Sequence, residues 1–225
     1  MTVHKASAYP AMTTASGVTV PEQPGAPAGE ALGPAPVVRD LRAREGRTPR
    51  RLRFGAGDLV VVSGLPGSGK TTLIKRAVAA PRLDSQDARD RWARRMPRFL
   101  PYAVYRPLVR IAHYAALRRA LRSGESVVVH DCGTQAWVRR WLAREARRRG
   151  RGLHLLLLDV DPRTALAGQR ERGRGVSRYA FTRHRGAVGS LVRDAENGRV
   201  PAGCASAVLL DRSAADGLQV LGFED

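Results

Sequence analysis

Val60-Val61-Val62-Ser63-Gly64-Leu65-Pro66-Gly67-Ser68-Gly69-Lys70-Thr71-Thr72 is the stretch from which the rest of the sequence is ordered. It matches G-x-x-x-x-G-K-[ST] in full, at Gly64, Gly69, Lys70 and Thr71. An apolar, β-branched run from Leu59 to Val62 precedes it, and a helix-compatible run from Thr72 to Ala80 follows. Strand, loop and helix in that order are the setting this pattern requires. Glycines let the backbone curl so that several N–H groups converge on phosphate oxygens. The helix opening near Gly69 adds the positive end of its dipole and its unpaired N–H groups. A lysine at position 70 suits the β- and γ-phosphates, and a hydroxyl at position 71 suits Mg²⁺. The plain alternative is a glycine-rich turn with a chance lysine. The complete pattern in its proper setting favours nucleotide binding.

Outward from this loop, 225 residues suit one domain with a tail. The formal net charge is +19, and nearly all of it is arginine, since the only lysines are Lys5, Lys70 and Lys75. Such a balance favours anionic partners. Arginine used throughout in place of lysine, together with abundant alanine and glycine, also reads as codon bias. Charge is therefore discounted as a sign of nucleic-acid function. Cys132 and Cys204 form neither a disulfide framework nor a metal-ligand spacing. No apolar run is long enough to span a membrane, and the N-terminus lacks the apolar core of a signal peptide. The expectation is a cytoplasmic protein with no membrane partner.

Half of the fourteen prolines lie between Pro10 and Pro49, among Ala, Gly, Thr and Glu. Residues 1–53 read as a disordered tail with a basic end, and residues 54–225 as the folded domain. After the loop helix, Leu83-Asp84-Ser85 reads as a very short strand leading to a helix over Gln86 to Arg95. Pro97, Pro101 and Pro107 punctuate a loop, and a helix is predicted from Leu108 to Arg122. Ser126 to Asp131 reads as a strand buried on both faces, Gln135 to Arg149 as an amphipathic helix, and Leu153 to Asp159 as another buried strand. Asp161-Pro162 opens a helix, with a cap residue followed by proline in the first turn. A further helix runs from Ser177 to about Glu196, and Ala205 to Leu210 is the last clear strand. Strands alternating with helices give an α/β fold, a parallel sheet with helices on both faces.

Three features sit where chemistry would need them. Asp131 ends a buried strand, where an acid can hold Mg²⁺ or simply cap a turn. Cys132 follows it, rather than the glutamate that a motor ATPase would use to activate water. Asp84 ends the short second strand, where a carboxylate can accept the proton of an attacking hydroxyl; it can equally be a helix cap. It is preferred to Asp87 on position. Arg170, Arg172, Arg174 and Arg178, broken by Gly173 and Gly175, suit a mobile segment that neutralises charge during transfer, or else a solvated face. The single asparagine, Asn197, leaves no N-K-x-D motif, which disfavours a GTPase.

The loop Gly64 to Thr72, then Leu83-Asp84-Ser85, Val127 to Asp131, Arg170 to Arg178, and Val208 to Arg212, together resemble the small phosphate-loop kinases grouped as AAA-domain ATP-binding proteins. Polynucleotide kinase, zeta-toxin-like and antibiotic or sugar kinases are similar in layout. The resemblance covers about residues 54–222. It implies a P-loop NTPase three-layer sandwich, with about five parallel strands in the order 2-3-1-4-5. It implies ATP and Mg²⁺ as cofactors, with Gly64, Leu65, Pro66, Gly67, Ser68, Gly69, Lys70, Thr71 and Thr72 binding the nucleotide. Thr71 and Asp131 would take the metal, and Arg212 would pack near the adenine. Asp84, Lys70, Arg170 and Arg174 would be catalytic. The activity implied is transfer of the γ-phosphate to a hydroxyl of a small metabolite or a nucleotide, by a monomer. A hydrolytic regulatory ATPase and an ATP-dependent nucleic-acid-binding protein are the alternatives.

Overall fold

The computed structural model describes residues 37–43, 49–83, 85–97, 99–130, 135–171 and 176–224, and for Ser85 and Gln86 the backbone alone. All of them fall in one unit, Pro34–Asp225. The loop strand stands at the heart of its sheet. Leu59–Gly64 (β3) pairs in parallel with Val127–His130 (β5) on one side and with Leu153–Leu158 (β6) on the other. Arg82–Leu83 (β4) pairs with β5, and Ser206–Leu210 (β7) pairs with β6. Every residue of β3 is buried, so neither face of the strand needs a polar alternation.

Read from β4, these five strands follow the order 2-3-1-4-5 that the resemblance implied. A sixth strand lies beyond them. Val37–Asp40 (β1) pairs in parallel with β7, from Val37 opposite Ser206 to Asp40 opposite Leu209. Arg51–Gly55 (β2) and Val220–Glu224 (β8) form a separate parallel pair. The boundary expected at residue 54 therefore differs from the structure, because residues 37–43 and 49–53 belong to the folded unit. The expected disorder of residues 1–36 lies outside the described residues. β1 escaped notice because it is an edge strand of four residues, none of them fully buried.

Successive strand residues point to opposite faces. One face sets Leu59, Val61, Val129, Leu155, Leu157 and Leu209 against helices Tyr102–Arg122 (α3), Ala136–Arg148 (α4) and Arg178–Glu196 (α6). The other sets Val60, Val62, Val128, Leu156, Leu158 and Leu210 against Lys70–Ala77 (α1) and Arg212–Gly217 (α7), with Leu52 of β2 and Leu221 of β8 completing that core. The result is a three-layer sandwich. Ser85–Arg95 (α2) and Pro162–Glu171 (α5) complete the helices.

One helix starts earlier than its sequence suggests. α3 begins at Tyr102, not at Leu108, and carries Pro107 inside it. Proline there forgoes its bond to the carbonyl of Ala103, an exposed residue, so the missing bond falls at the surface and not in the core. The Asp161-Pro162 start holds as expected. The Asp161 carboxylate accepts from the N–H groups of Arg163 at 2.8 Å and Thr164 at 3.3 Å.

The amino ends of the strands are fixed by a polar clamp. His154 lies 2.9 Å from the Asp58 carboxylate through Nε2 and 2.8 Å from the Ser206 hydroxyl through Nδ1. Asp58 also accepts from the backbone N–H groups of Gly55 and Gly152. Phe54 covers the imidazole with ring centroids 4.7 Å apart. His154 and Ser206 are direct partners in the β6–β7 register. The carboxylate thus ties the turn before β3 to β6, and the imidazole carries the tie on to β7.

Candidate nucleotide site

The opposite end of the sheet carries the site. The loop from Gly64 to Gly69 joins β3 to α1, and all three of its glycines adopt positive φ angles that other residues rarely take. Gly67 has φ 87° and Gly69, which precedes the first residue of α1, has φ 96°. Space is as restrictive as dihedral angle. A Cβ on Gly67 would stand 2.0 Å from the carbonyl oxygen of Ala165 in α5. A Cβ on Gly168 would stand 2.8 Å from the carbonyl oxygen of Gly67. Helix α5 therefore lies with its backbone directly against the loop, glycine facing glycine.

Lys70 is buried at the base of the loop. Its Nζ donates to the carbonyl oxygens of Gly64 and Leu65, at 2.7 Å each. A buried ammonium needs such acceptors, and here it stands inside the turn that phosphate oxygens would enter. Ser68 is buried beside it, and its hydroxyl has no hydrogen-bond partner among the described residues. An orphaned hydroxyl inside a glycine loop suits an anionic acceptor. Thr71, in the first turn of α1, is half-buried and Thr72 is exposed. Leu65 is buried, and the Pro66 carbonyl is engaged as described below.

Arg212 comes to the same place from the far side. It opens α7, where the Asp211 carboxylate caps the helix by accepting from Ala214 N at 2.7 Å. Its Nη1 lies 3.4 Å from where a Cβ on Gly69 would be, and its Nε donates to Asp216 at 3.0 Å. The Arg212 guanidinium therefore stands beside Gly69 at the phosphate loop. Arg170 lies exposed at the end of α5. Asp84, Asp131 and Arg174 lie outside the described residues. β4 and β5 end at the residues just before Asp84 and Asp131, at the same edge of the sheet as the loop. Among the described residues, no group of three or more His, Cys, Asp or Glu could hold a metal by itself.

Two features were not visible in the sequence. Gln169 is 6 % exposed, and its amide joins two distant backbones. Nε2 donates to the Pro66 carbonyl of the loop at 3.0 Å, and Oε1 accepts from Val176 N at 3.0 Å. A side chain of α5 therefore fixes both the phosphate loop and the residue that leads into α6. The second is Arg42, just after β1. Its guanidinium meets Asp159 at 2.6 Å, Asp40 at 2.7 Å and Glu196 at 2.8 Å. Hydrogen bonds to these carboxylates, Asp40 first, hold its pKa above the usual arginine value against the opposing effect of burial. The next residue, Ala43, donates its N–H to Asp211 at 2.7 Å. Neither residue belongs to a local pattern that a sequence reading could have caught.

A phosphate loop on the central strand of a parallel sheet, with an ammonium turned into it and a helix at its exit, defines the phosphate-loop NTPase fold. The model of the AAA domain family matches residues 59–188, more than half of the chain, and the chain belongs to that family. The fold resembles that of the PezAT toxin–antitoxin system of Streptococcus pneumoniae, at a TM-score of 0.51 and 13 % identity over 75 % of this chain and 72 % of that one. A gluconokinase from Sinorhizobium meliloti is 21 % identical over 74 % of this chain and 93 % of its own, at a TM-score of 0.42. The tunicamycin resistance protein of Deinococcus radiodurans is 20 % identical over 63 % of this chain and 79 % of its own, at a TM-score of 0.37. No curated protein matches the chain in sequence. Among the described residues, no helix is long and apolar enough to cross a membrane.

Proposed function

We propose that the protein is an ATP-dependent phosphotransferase that moves the γ-phosphate to a hydroxyl of a small metabolite or nucleotide. The observation that supports this reading most directly is the Lys70 ammonium, buried in a complete glycine loop and held by carbonyls that phosphate oxygens would replace as its partners. Gly67 and Gly69 offer their N–H groups to the phosphates, the Ser68 N–H being held by the Leu65 carbonyl at 3.0 Å, and Lys70 neutralises charge at the transferred group. Arg212 lies beside Gly69 and bounds the nucleotide on the α7 side. Asp84 takes the role of orienting the acceptor hydroxyl and accepting its proton. Arg170, at the end of α5, and Arg174 are assigned to the phosphates.

The residues suit Mg²⁺ in its usual role beside a nucleotide, where it holds water and phosphate and needs few protein ligands. The Thr71 hydroxyl and Asp131 would hold it, and its charge would offset that of the triphosphate. Cys132 after Asp131 disfavours a hydrolytic machine, and a 5′-hydroxyl nucleic-acid end is the less favoured acceptor. A cytoplasmic monomer is the setting we assign.

Transfer of label from γ-labelled ATP with Mg²⁺ tests the proposal. A metabolite extract and a 5′-hydroxyl oligonucleotide serve as separate acceptors, with wild type, Lys70→Ala and Asp84→Asn compared. Label entering one pool, lost in both variants, is the expected result. Label appearing only as free phosphate, equally in wild type and Asp84→Asn, overturns the kinase reading in favour of an ATPase.

A further inference from the structure

Helix α3 has two apolar faces. The inner one, Tyr105, Val109, Leu117 and Leu121, is buried in the sandwich. The outer one runs Val104, Leu108, Ile111 and Ala115, at helical spacing, and faces solvent. Ile111 is 65 % exposed, Val104 61 % and Leu108 47 %. On α4 beside it, Trp137 is 48 % exposed. Between the helices runs an open groove of about 790 Å³, lined by Ile111, Tyr114 and Ala115 on one wall and Trp137 and Trp141 on the other, with Arg118, Arg140 and Arg144 at its rim.

We infer that this groove docks an acidic amphipathic helix of a partner protein. Three observations select that occupant. The first is charge. α3 contains no acidic residue, and the one acid of α4, Glu145, is paired with Arg148. Among the described residues of these two helices no carboxylate is left to pair with the cationic rim, which also disfavours a second copy of the same face. The second is shape. The groove is too open to enclose a small ligand, and its α3 wall from Ile111 to Arg118 is about 10 Å long, or roughly two helical turns. The third is how the aromatics are used. Tyr114 tilts at 55° against Trp137, with centroids 5.2 Å apart, and its hydroxyl donates to Gln135 at 2.5 Å. Those rings pack into a wall instead of presenting successive parallel faces, as a single-stranded nucleic acid would need. Apolar residues at i, i+3, i+4 and i+7 of the incoming helix fill the floor, and its flanking carboxylates meet Arg118, Arg140 and Arg144.

The test is fluorescence anisotropy with two labelled 18-residue peptides of identical Leu, Glu and Ala content, one with leucine at i, i+3, i+4 and i+7, the other scrambled. The amphipathic peptide is expected to bind at least about tenfold more tightly than the scrambled one. Ile111→Glu and Trp137→Ala should each remove that advantage, and Arg140→Gln with Arg144→Gln should weaken binding and flatten its salt dependence. Ile111 and Trp137 are exposed, so unchanged melting temperatures are expected and separate lost docking from lost fold. Equal binding of the two peptides, or binding that survives Ile111→Glu, overturns the inference. So does a labelled single-stranded oligonucleotide or an anionic vesicle whose binding, unlike that of the peptide, is lost in these variants. Lys70→Ala leaves peptide binding unchanged, so the outcome is independent of the proposed catalytic reading.

Discussion

Replacing Gln169 with leucine isolates the link between the phosphate loop and helix α5. The side chains are close in volume, so the change removes hydrogen bonds more than packing. Two bonds are lost, one to the Pro66 carbonyl and one from Val176 N, each 3.0 Å long in the wild type. A net bond contributes about 1 kcal/mol, and a partner left buried without one costs about 1–3 kcal/mol. The loop carbonyl is the group less able to reach water, because α5 lies against the loop at Gly67. Val176 is exposed, and its N–H finds solvent more readily. The sum is therefore about 2–4 kcal/mol, most of it from Pro66. Urea unfolding reads it as a lower midpoint at unchanged slope. Nucleotide affinity should fall with it, because the loop loses the side chain that fixes its first turn. A shift under about 0.5 kcal/mol, within the range of an ordinary surface substitution, would refute the claim that Gln169 holds the loop.

Two further outcomes follow from geometry already described. Gly67→Ala combines a φ of 87° with a Cβ 2.0 Å from the Ala165 carbonyl, so α5 must move. Strain and overpacking together should cost about 2–5 kcal/mol, and thermal stabilisation by ATP should vanish; retained stabilisation would contradict the close approach. Cys204 is buried, and burial, opposed by nearby Arg139, pushes its thiol up to about 11. At pH 8 only about one thiol in a thousand is then thiolate. Iodoacetamide should leave Cys204 unmodified in the native protein and alkylate it in urea, as peptide mass mapping would record; native labelling of Cys204 would place the residue elsewhere.

Much of the architecture was legible because its signals are local. The loop is specified by four residues at fixed spacing, and β3, β5 and β6 are continuous apolar runs that only a doubly covered sheet accommodates. Asp161 and Pro162 announced α5 through backbone chemistry confined to one turn. What escaped depends on distant partners. β1 is recognisable only from β7, which lies more than a hundred residues later. Pro107 reads as a helix breaker because its tolerance rests on the exposure of Ala103, a property of the folded surface. Gln169 looks like one more polar residue in an arginine-rich helix, and only the path of the loop beneath it gives the amide its purpose. Of the expected site residues, Lys70, Thr71 and Arg212 are brought to one place, Arg170 lies at the end of α5, and Asp84, Asp131 and Arg174 fall outside the described residues.

The strand pairings also bear on how such a chain is made. β1 completes itself against β7 and β2 against β8, so the first two strands among the described residues have partners that are translated more than a hundred residues later. Val78, at the exit of α1, likewise bridges to Leu221. Until β8 has been synthesised, Leu52 and Val78 lack Leu221 as a neighbour, and the α1 side of the sheet is only partly covered. Pairing across nearly the whole chain is slow, and its exposed precursors are prone to aggregate. A nascent chain stalled before β8 is thus a natural client for a chaperone, even though its phosphate loop has long been synthesised.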